Sequence, residues 1–226
     1  MDVSKKDFAL ATMKGVVSEV PIIGGCLSEY IGLAQRNIAD KRLIEWQNMV
    51  EVKLEKLDCD MKTLSENDFF YSCVQLATSG ALKTHQKEKR AYFAEALYNS
   101  HDLPDILEEK KLIFLSMLDR YSPLAIKLLG YYSKDNFYEE NKYDTGNMVK
   151  TRTIIPGTEK PMEGIVESIP ELSYEPDLTV TLTTQLTADG LIESINLAIP
   201  VVPKEARKKR TTSLGDEFMR FITDKG

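Results

Sequence analysis

Hydrophobic residues recur along most of this chain at intervals of three and four, the spacing of one face of an α-helix. The pattern is clear in residues 39–57, where charged residues separate the apolar positions and predict a long helix with one buried stripe. Its only tryptophan lies in that stripe and is expected to anchor the core. The stripe consists of Leu43, Trp46, Val50, Leu54 and Leu57.

Further helices follow at short intervals. Asn67 or Asp68 is expected to cap a helix that buries Phe70, Cys73 and Val74. A charged run, residues 86–90, opens the next helix, and its mixed signs are typical of a solvated face. Asp102 and Pro104 are interpreted as the start of another helix, whose buried side is predicted to carry Leu107, Phe114, Met117 and Leu118. The N-terminal half is therefore predicted to be a helical bundle.

The first 36 residues predict a helical hairpin. An amphipathic helix covers residues 4–20, Pro21 and the pair Gly24-Gly25 interrupt it, and a shorter helix follows at residues 27–36. Two interpretations are open: the hairpin folds into the domain core, or it docks on lipid as other amphipathic helices do. Glu19 and Glu29 would be repelled by anionic headgroups, which favours the core.

A second domain is predicted from residue 122. Ser122 followed by Pro123 combines a capping hydroxyl with a proline at the first helical position. A second helix is expected at residues 163–169 and a third from Pro176. Between the first and second lies a polar insertion, residues 134–162.

The end of the chain predicts a strand, a loop and a last helix. Apolar and polar residues alternate from Leu191 to Ile199, as in a half-buried strand. A basic loop follows, and Thr212 or Ser213 is expected to cap the final helix. This order of elements is typical of a winged helix. The predicted fold class is therefore mainly α, with an N-terminal helical bundle in residues 1–121 and a winged-helix-like α+β domain in residues 122–226.

A winged helix raises the question of DNA binding. The outward positions of the third helix offer Asp177 and several threonines, and only Gln185 resembles a reader of base edges. The basic loop could still contact phosphates, although such contacts would specify no sequence. These features favour a protein-interaction or purely structural winged helix over one that binds DNA. The residues predicted as candidate nucleic-acid or phosphate contacts are Lys204, Arg207, Lys208, Lys209 and Arg210.

Composition and charge indicate which partners and which cellular compartment to expect. The chain has 226 residues, a formal net charge of -6 and a sequence pI near 5.2, which oppose general attraction to nucleic acid or anionic lipid. Its three cysteines lack the spacing of metal ligands, so a reducing cytoplasm and buried thiols are expected. Charged residues interrupt the apolar stretch near the N-terminus, so neither a signal peptide nor a transmembrane segment is expected.

No pattern in the chain predicts a reaction. His101-Asp102 resembles part of a metal-hydrolase site, but Asp102 is explained better as a helix cap and further ligands are not evident. Gly24-Gly25-Cys26 matches neither a phosphate-binding loop nor a nucleophile elbow. We therefore expect a protein that is not an enzyme and that has no metal, cofactor or small-molecule ligand.

One family resemblance gives a biological setting. Residues 88–100, with the sequence EKRAYFAEALYNS, and residues 114–129, with the sequence FLSMLDRYSPLAIKLL, resemble the Abi-alpha family of bacterial proteins. That family carries such helices before a leucine-serine-proline junction, where this chain has Tyr121 in place of the leucine. The resemblance implies a role in abortive infection, a form of phage defence, and implies no catalytic residue.

The function expected from these observations is that of a non-enzymatic binding or regulatory protein of bacterial or phage origin. It is expected to act through a protein partner or by self-association. The alternative is a winged-helix DNA-binding regulator, and a third interpretation is a membrane-acting effector that uses the N-terminal hairpin.

Overall fold

A computed structural model describes residues 35–57, 61–136 and 158–223. The predicted N-terminal hairpin, Cys26, Cys59 and most of the predicted insertion lie outside these residues. The chain divides into two compact units. Unit 1 comprises Met1–Tyr121 with Arg220–Gly226, and unit 2 comprises Ser122–Met219.

Unit 1 is built from helices in its described part. A π-helical turn, Gln35–Ala39, leads directly into the first α-helix. The α-helices are α1 (Asp40–Leu54), α2 (Met61–Ser65), α3 (Asp68–Lys83), α4 (Lys87–Asp102) and α5 (Glu108–Arg120). Asn67 caps α3, because its side-chain oxygen accepts a hydrogen bond of 2.8 Å from the backbone nitrogen of Phe70.

Helix α4 is central to the packing of unit 1, since it contacts α1, α3 and α5. The predicted stripe of α1 is confirmed at Trp46, Val50 and Leu54, which are buried. Trp46 is fully buried, and its indole nitrogen donates to the Thr78 hydroxyl at 3.2 Å. That bond satisfies the one polar atom of the largest core side chain.

A glycine allows α3 and α4 to pack closely. A Cβ atom at Gly80 would overlap the ring of Phe93, which is fully buried. The aromatic ring therefore occupies the space that any other residue at position 80 would need.

Three local predictions for unit 1 are wrong. Leu107, predicted to lie on the buried side of its helix, is 68% exposed and directly precedes α5. Asp102 is the last residue of α4 and does not open a new helix; Pro104 follows as a stop signal, and α5 begins at Glu108. The charged run at residues 86–90 is only partly a solvated face, because Lys89 and Arg90 are buried. The Lys89 ammonium donates to the Asp119 carbonyl at 2.7 Å, and burial lowers the pKa of Lys89.

Unit 2 contains shorter helices in its described part. They are α6 (Pro123–Tyr132), α7 (Pro161–Ser168), α8 (Pro176–Ala188), α9 (Pro203–Ala206) and α10 (Ser213–Ile222), with a 3-10 turn at Pro170–Leu172. From Arg220 onward, the residues of α10 belong to unit 1. The predicted cap of α6 is confirmed, because the Ser122 hydroxyl accepts from the Ala125 nitrogen at 3.1 Å.

The core of unit 2 lies where α8 and α7 meet α6. Tyr132 is buried there, and its hydroxyl is 3.2 Å from that of Thr183. Burial raises the pKa of Tyr132 to about 12. Other fully buried side chains of this unit include Leu128, Leu129, Ile165, Leu172, Leu186 and Phe218.

The winged-helix prediction is wrong: the described residues contain no strand or sheet. After Gly190 the chain makes one isolated antiparallel bridge, between Ile192 and Thr211, and Val201 makes another with Glu159. No ladder forms because the Asn196 side chain accepts from the Ala198 nitrogen at 3.0 Å and Pro200 has no N–H to donate. In place of a wing, Pro203 begins the single turn of α9.

None of the helices in residues 35–57, 61–136 and 158–223 combines the length and the hydropathy that spanning a membrane requires.

Candidate protein-binding groove

A groove of about 510 Å³ lies between α1 and α4 in unit 1. It is open to solvent on one side, and its surface is mainly apolar. We call it the α1–α4 groove. Its lining residues are Glu45, Asn48, Met49, Val52 and Lys53 from α1 and Lys87, Ala91, Ala94 and Glu95 from α4.

The α1 wall arises because this helix carries apolar residues outside its buried stripe. Met49 and Val52 occupy the neighbouring face, and each lies four residues after another lining residue, Glu45 or Asn48. Val52 is 55% exposed, although it is β-branched and apolar. Ile44, on the same helix, is 57% exposed but does not line the groove, so it provides a matched reference for Val52.

The α4 wall is formed by small residues. Ala91 is exposed and Ala94 is buried, and both follow Lys87 at helical spacing. Alanine methyl groups leave space above the backbone that a larger side chain would fill. The concavity of the groove therefore depends on these two alanines.

Ion pairs connect the two walls. The Lys53 ammonium pairs with the Glu95 carboxylate, which is buried, and Lys53 also lies 5.9 Å from the centre of the Tyr98 ring. The Arg90 guanidinium binds Glu45 at 2.6 Å and the Thr84 carbonyl at 3.0 Å. These contacts hold the charged heads beside the helices, so the apolar residues between them face the opening.

The groove can bind another molecule, but its side chains do not indicate a reaction. Both carboxylates of the groove, on Glu45 and Glu95, are already paired with cations. The apolar part of the surface is supplied by Met49, Val52 and the two alanines. An apolar, open surface with a charged rim is the geometry of helix-in-groove recognition, in which an amphipathic helix buries its apolar side.

The predicted nucleic-acid contacts lie in unit 2, and four of them pair with carboxylates of the same unit. Arg207 is only 7% exposed. Its guanidinium binds Glu159 at 2.7 Å and Glu167 at 2.8 Å, and its carbonyl accepts from the Asn136 nitrogen at 3.1 Å. Arg207 therefore joins residues on both sides of the 137–157 segment to α7.

The neighbouring basic residues also have acidic partners. Arg210 is buried and binds Glu205 at 2.8 Å, and Lys208 binds the same carboxylate at 2.9 Å. The hydrogen bond from Lys208 is the main cause of the lowered pKa of Glu205, and Arg210 also contributes. Lys209 binds Asp216 at 2.7 Å. Four of the five predicted residues thus pair with carboxylates of unit 2, and we call these four the basic cluster. Lys204 lies in α9 and is exposed.

The other sequence candidates are accounted for by packing. Cys73 is a free, buried thiol whose pKa is raised by burial to about 12. His101 is exposed at the end of α4, with its ring edge-on to Phe70 at 6.5 Å. Within the described ranges, no group of three or more His, Cys, Asp and Glu residues is placed to hold a metal ion.

The α1–α4 groove is not predicted from the sequence. A usable signal was present in α1, where Met49 and Val52 lie beside the buried stripe. The spacing of Ala91 and Ala94 gave a second signal on α4. Neither signal reveals that the two faces are adjacent, because that depends on how α1 packs against α4.

Comparison of the chain with protein-family models, curated proteins and solved structures gave no significant match.

Proposed function

We propose that this protein is a binding or regulatory protein whose α1–α4 groove takes an amphipathic helix from a protein partner. The observation that carries the proposal is the exposed apolar surface formed by Met49, Val52 and Ala91 between two charged rims. A groove of about 510 Å³ lies within the range of about 300–1,000 Å³ typical of ligand pockets. Its open side suits an elongated ligand.

The chemistry of the groove defines the partner helix. Its apolar stripe should carry large side chains, since the two alanines leave room for them above α4. Lys87 is exposed at the rim and would favour an acidic residue beside the stripe. The partner is therefore expected to be an amphipathic helix with leucine- or phenylalanine-like anchors and a nearby carboxylate.

Photo-crosslinking in bacterial cells tests the proposal. Benzoylphenylalanine at position 52 should form an adduct with a specific protein, because Val52 lines the groove. The same probe at position 44 is the control, since Ile44 has nearly the same exposure on the same helix. Ala91→Arg should fill the groove and abolish the adduct from position 52.

Two outcomes would reject the groove as the binding site. One is an adduct of equal yield from positions 44 and 52. The other is an adduct from position 52 that persists in the Ala91→Arg variant.

The resemblance to the Abi-alpha family supports phage defence as the cellular role of this binding. Expression of the protein should then lower the number of plaques formed by a sensitive phage. Val52→Asp should remove that protection, and Ile44→Asp should retain it. Protection that survives Val52→Asp would separate the defence role from the groove.

A further inference from the structure

The outward face of α1 carries a row of exposed residues whose spacing reads the same from either end. Five residues are separated by steps of three, four, four and three, so at about 100° per residue they fall within a sector of about 80°. This sector lies opposite the buried stripe of the same helix. We call these residues the outer row, and they are Lys41, Ile44, Asn48, Val52 and Glu55.

The folded chain leaves the outer row open. Ile44 and Val52 are 57% and 55% exposed. Lys41, Asn48 and Glu55 are also exposed, and their side chains make no hydrogen bond or ion pair with any residue that the structure describes. Glu55 follows the last residue of α1 but keeps helical backbone angles, with φ -61° and ψ -26°. The row therefore offers a positive end, a central amide between two apolar side chains, and a negative end.

A second copy of α1 in the opposite direction complements this row. Because the steps are symmetric about Asn48, an antiparallel copy would place its Glu55 beside Lys41, its Val52 beside Ile44 and its Asn48 beside Asn48. We propose that the outer row is a self-association surface, through which two copies of this chain form an antiparallel, two-fold symmetric helix pair. The proposal does not depend on the function proposed above, because the occupant is a second copy.

Each contact of the antiparallel pair is favourable. Ile44 would pack between the side chains one turn apart on the second copy, as residues do in helix pairs. The two Asn48 amides can donate to and accept from each other, which fixes the register. Lys41 and Glu55 would form an ion pair at both ends. In a parallel pair each of these two charges would meet its own copy, and such like-charge contacts are unfavourable.

The size of the surface indicates a weak association. Helix α1 has 15 residues, so it is about 22 Å long. A contact through one helix of this length lies at the low end of interface sizes, below about 1,200 Å², where complexes are transient. The dimer is therefore expected to form in the micromolar range of chain concentration or above.

The outer row overlaps the α1–α4 groove at its edge, since Asn48 and Val52 line both. A second copy would therefore compete with a partner helix when the chain is concentrated. At concentrations too low for the dimer, the groove stays accessible. A crosslinked dimer has twice the mass of the chain, so it is distinct from the adduct with another protein.

Charge reversal tests the contact in the purified full chain, with sedimentation velocity as the measurement. Lys41→Glu and Glu55→Lys each bring like charges together at both ends, so each variant alone should associate at least about tenfold more weakly than the parent. An equimolar mixture of the two variants should associate as the parent does, because every contact between positions 41 and 55 again joins opposite charges. Neither residue lines the groove.

Disulfide trapping tests the orientation. Asn48→Cys should form an intermolecular disulfide under mild oxidation, because the two-fold axis passes beside position 48. Lys41→Cys should not, since the two copies of position 41 would lie about 21 Å apart along the helices. The parent chain, oxidised in the same way, gives the background from its own cysteines.

Four results would overturn the proposal. A parent chain that stays monomeric from micromolar to submillimolar concentration has no self-association surface. Unchanged association of Lys41→Glu, or a mixture of the two charge variants that fails to associate, removes the contact between positions 41 and 55. Equal disulfide yields at positions 41 and 48 would assign a parallel pair.

Discussion

Two regions of the molecule differ in whether their side chains find partners within the folded chain. They are the basic cluster of unit 2 and the α1–α4 groove of unit 1. The cluster holds four of the five basic residues from Lys204 to Arg210, and their charges are paired with carboxylates. The groove pairs the carboxylates of Glu45 and Glu95 with cations, but its apolar residues Val52 and Ala91 are left open to solvent.

The contrast shows that residues that stand out in a sequence are not necessarily exposed for binding another molecule. A run of like charges suggests an external partner only until the acidic residues that fold against it are known. Arg207 finds Glu159, which is 48 residues away in the chain. Conversely, Ala91 and Ala94 do not stand out in the sequence, but in the fold they form the α4 wall of the groove.

The largest effect expected is that of removing Arg207. Arg207→Ala leaves the Glu159 carboxylate, which is 15% exposed, without the buried cation that it binds, and the exposed Glu167 loses the same partner. Breaking one partner of a buried ion pair costs about 3–5 kcal/mol, so the variant should unfold at much lower denaturant concentration. Urea unfolding monitored by circular dichroism measures this.

Lys209→Ala provides the matched control for that experiment. Lys209 makes a half-exposed pair with Asp216, and such pairs contribute about 0–1 kcal/mol. Equal losses of unfolding free energy in the two variants would contradict the view that Arg207 is an internal structural residue.

A smaller effect is expected for the interior of unit 1, where the buried Cys73 thiol should make the stability of the protein depend on pH. Burial raises the pKa of the Cys73 thiol to about 12 from 9.0, so the folded chain keeps a proton that the unfolded chain releases above pH 9. The stability that this group contributes is complete below pH 9. It declines toward pH 12 by at most about 1.4 kcal/mol per pH unit.

Urea unfolding at pH 8 and pH 10 measures this decline. Cys73→Ala should lose less stability between the two pH values than the parent. Lys111, whose pKa is lowered by burial, shifts stability in the opposite direction in both proteins. The same loss in parent and variant would show that the thiol is not held protonated by the fold.

The smallest effect is expected for DNA. Because the basic residues are already paired with carboxylates, a random duplex at low salt should give no complex at micromolar protein by fluorescence anisotropy. A complex that weakens when Lys208 and Lys209 are replaced by alanine, with a shallower salt dependence, would restore the regulator interpretation.

Sequence reasoning succeeded where the signal is local. The Asn67 and Ser122 caps and the buried stripe containing Trp46 depend on neighbours within one helix, and all are confirmed.

Sequence reasoning failed where the outcome depends on distant residues. Alternation from Leu191 to Ile199 predicts a strand, but a strand needs a partner along its length, and only Ile192 and Val201 find single bridges. The groove likewise depends on the packing of α1 against α4, and the internal role of Arg207 depends on the return of the chain at Glu159.

The most direct test compares the partner affinity of Val52→Asp with that of Ile44→Asp. It asks whether the open groove, in contrast to the ion-paired basic cluster, binds a partner. Both residues are more than half exposed on α1, so both variants should unfold within about 0.5 kcal/mol of the parent. A carboxylate at position 52 would be desolvated by a bound helix, and we expect at least a tenfold loss of affinity for the crosslinked partner, which corresponds to about 1.4 kcal/mol. Ile44→Asp should bind as the parent does. Equal affinities for the two variants would contradict the assignment of the groove as the binding surface.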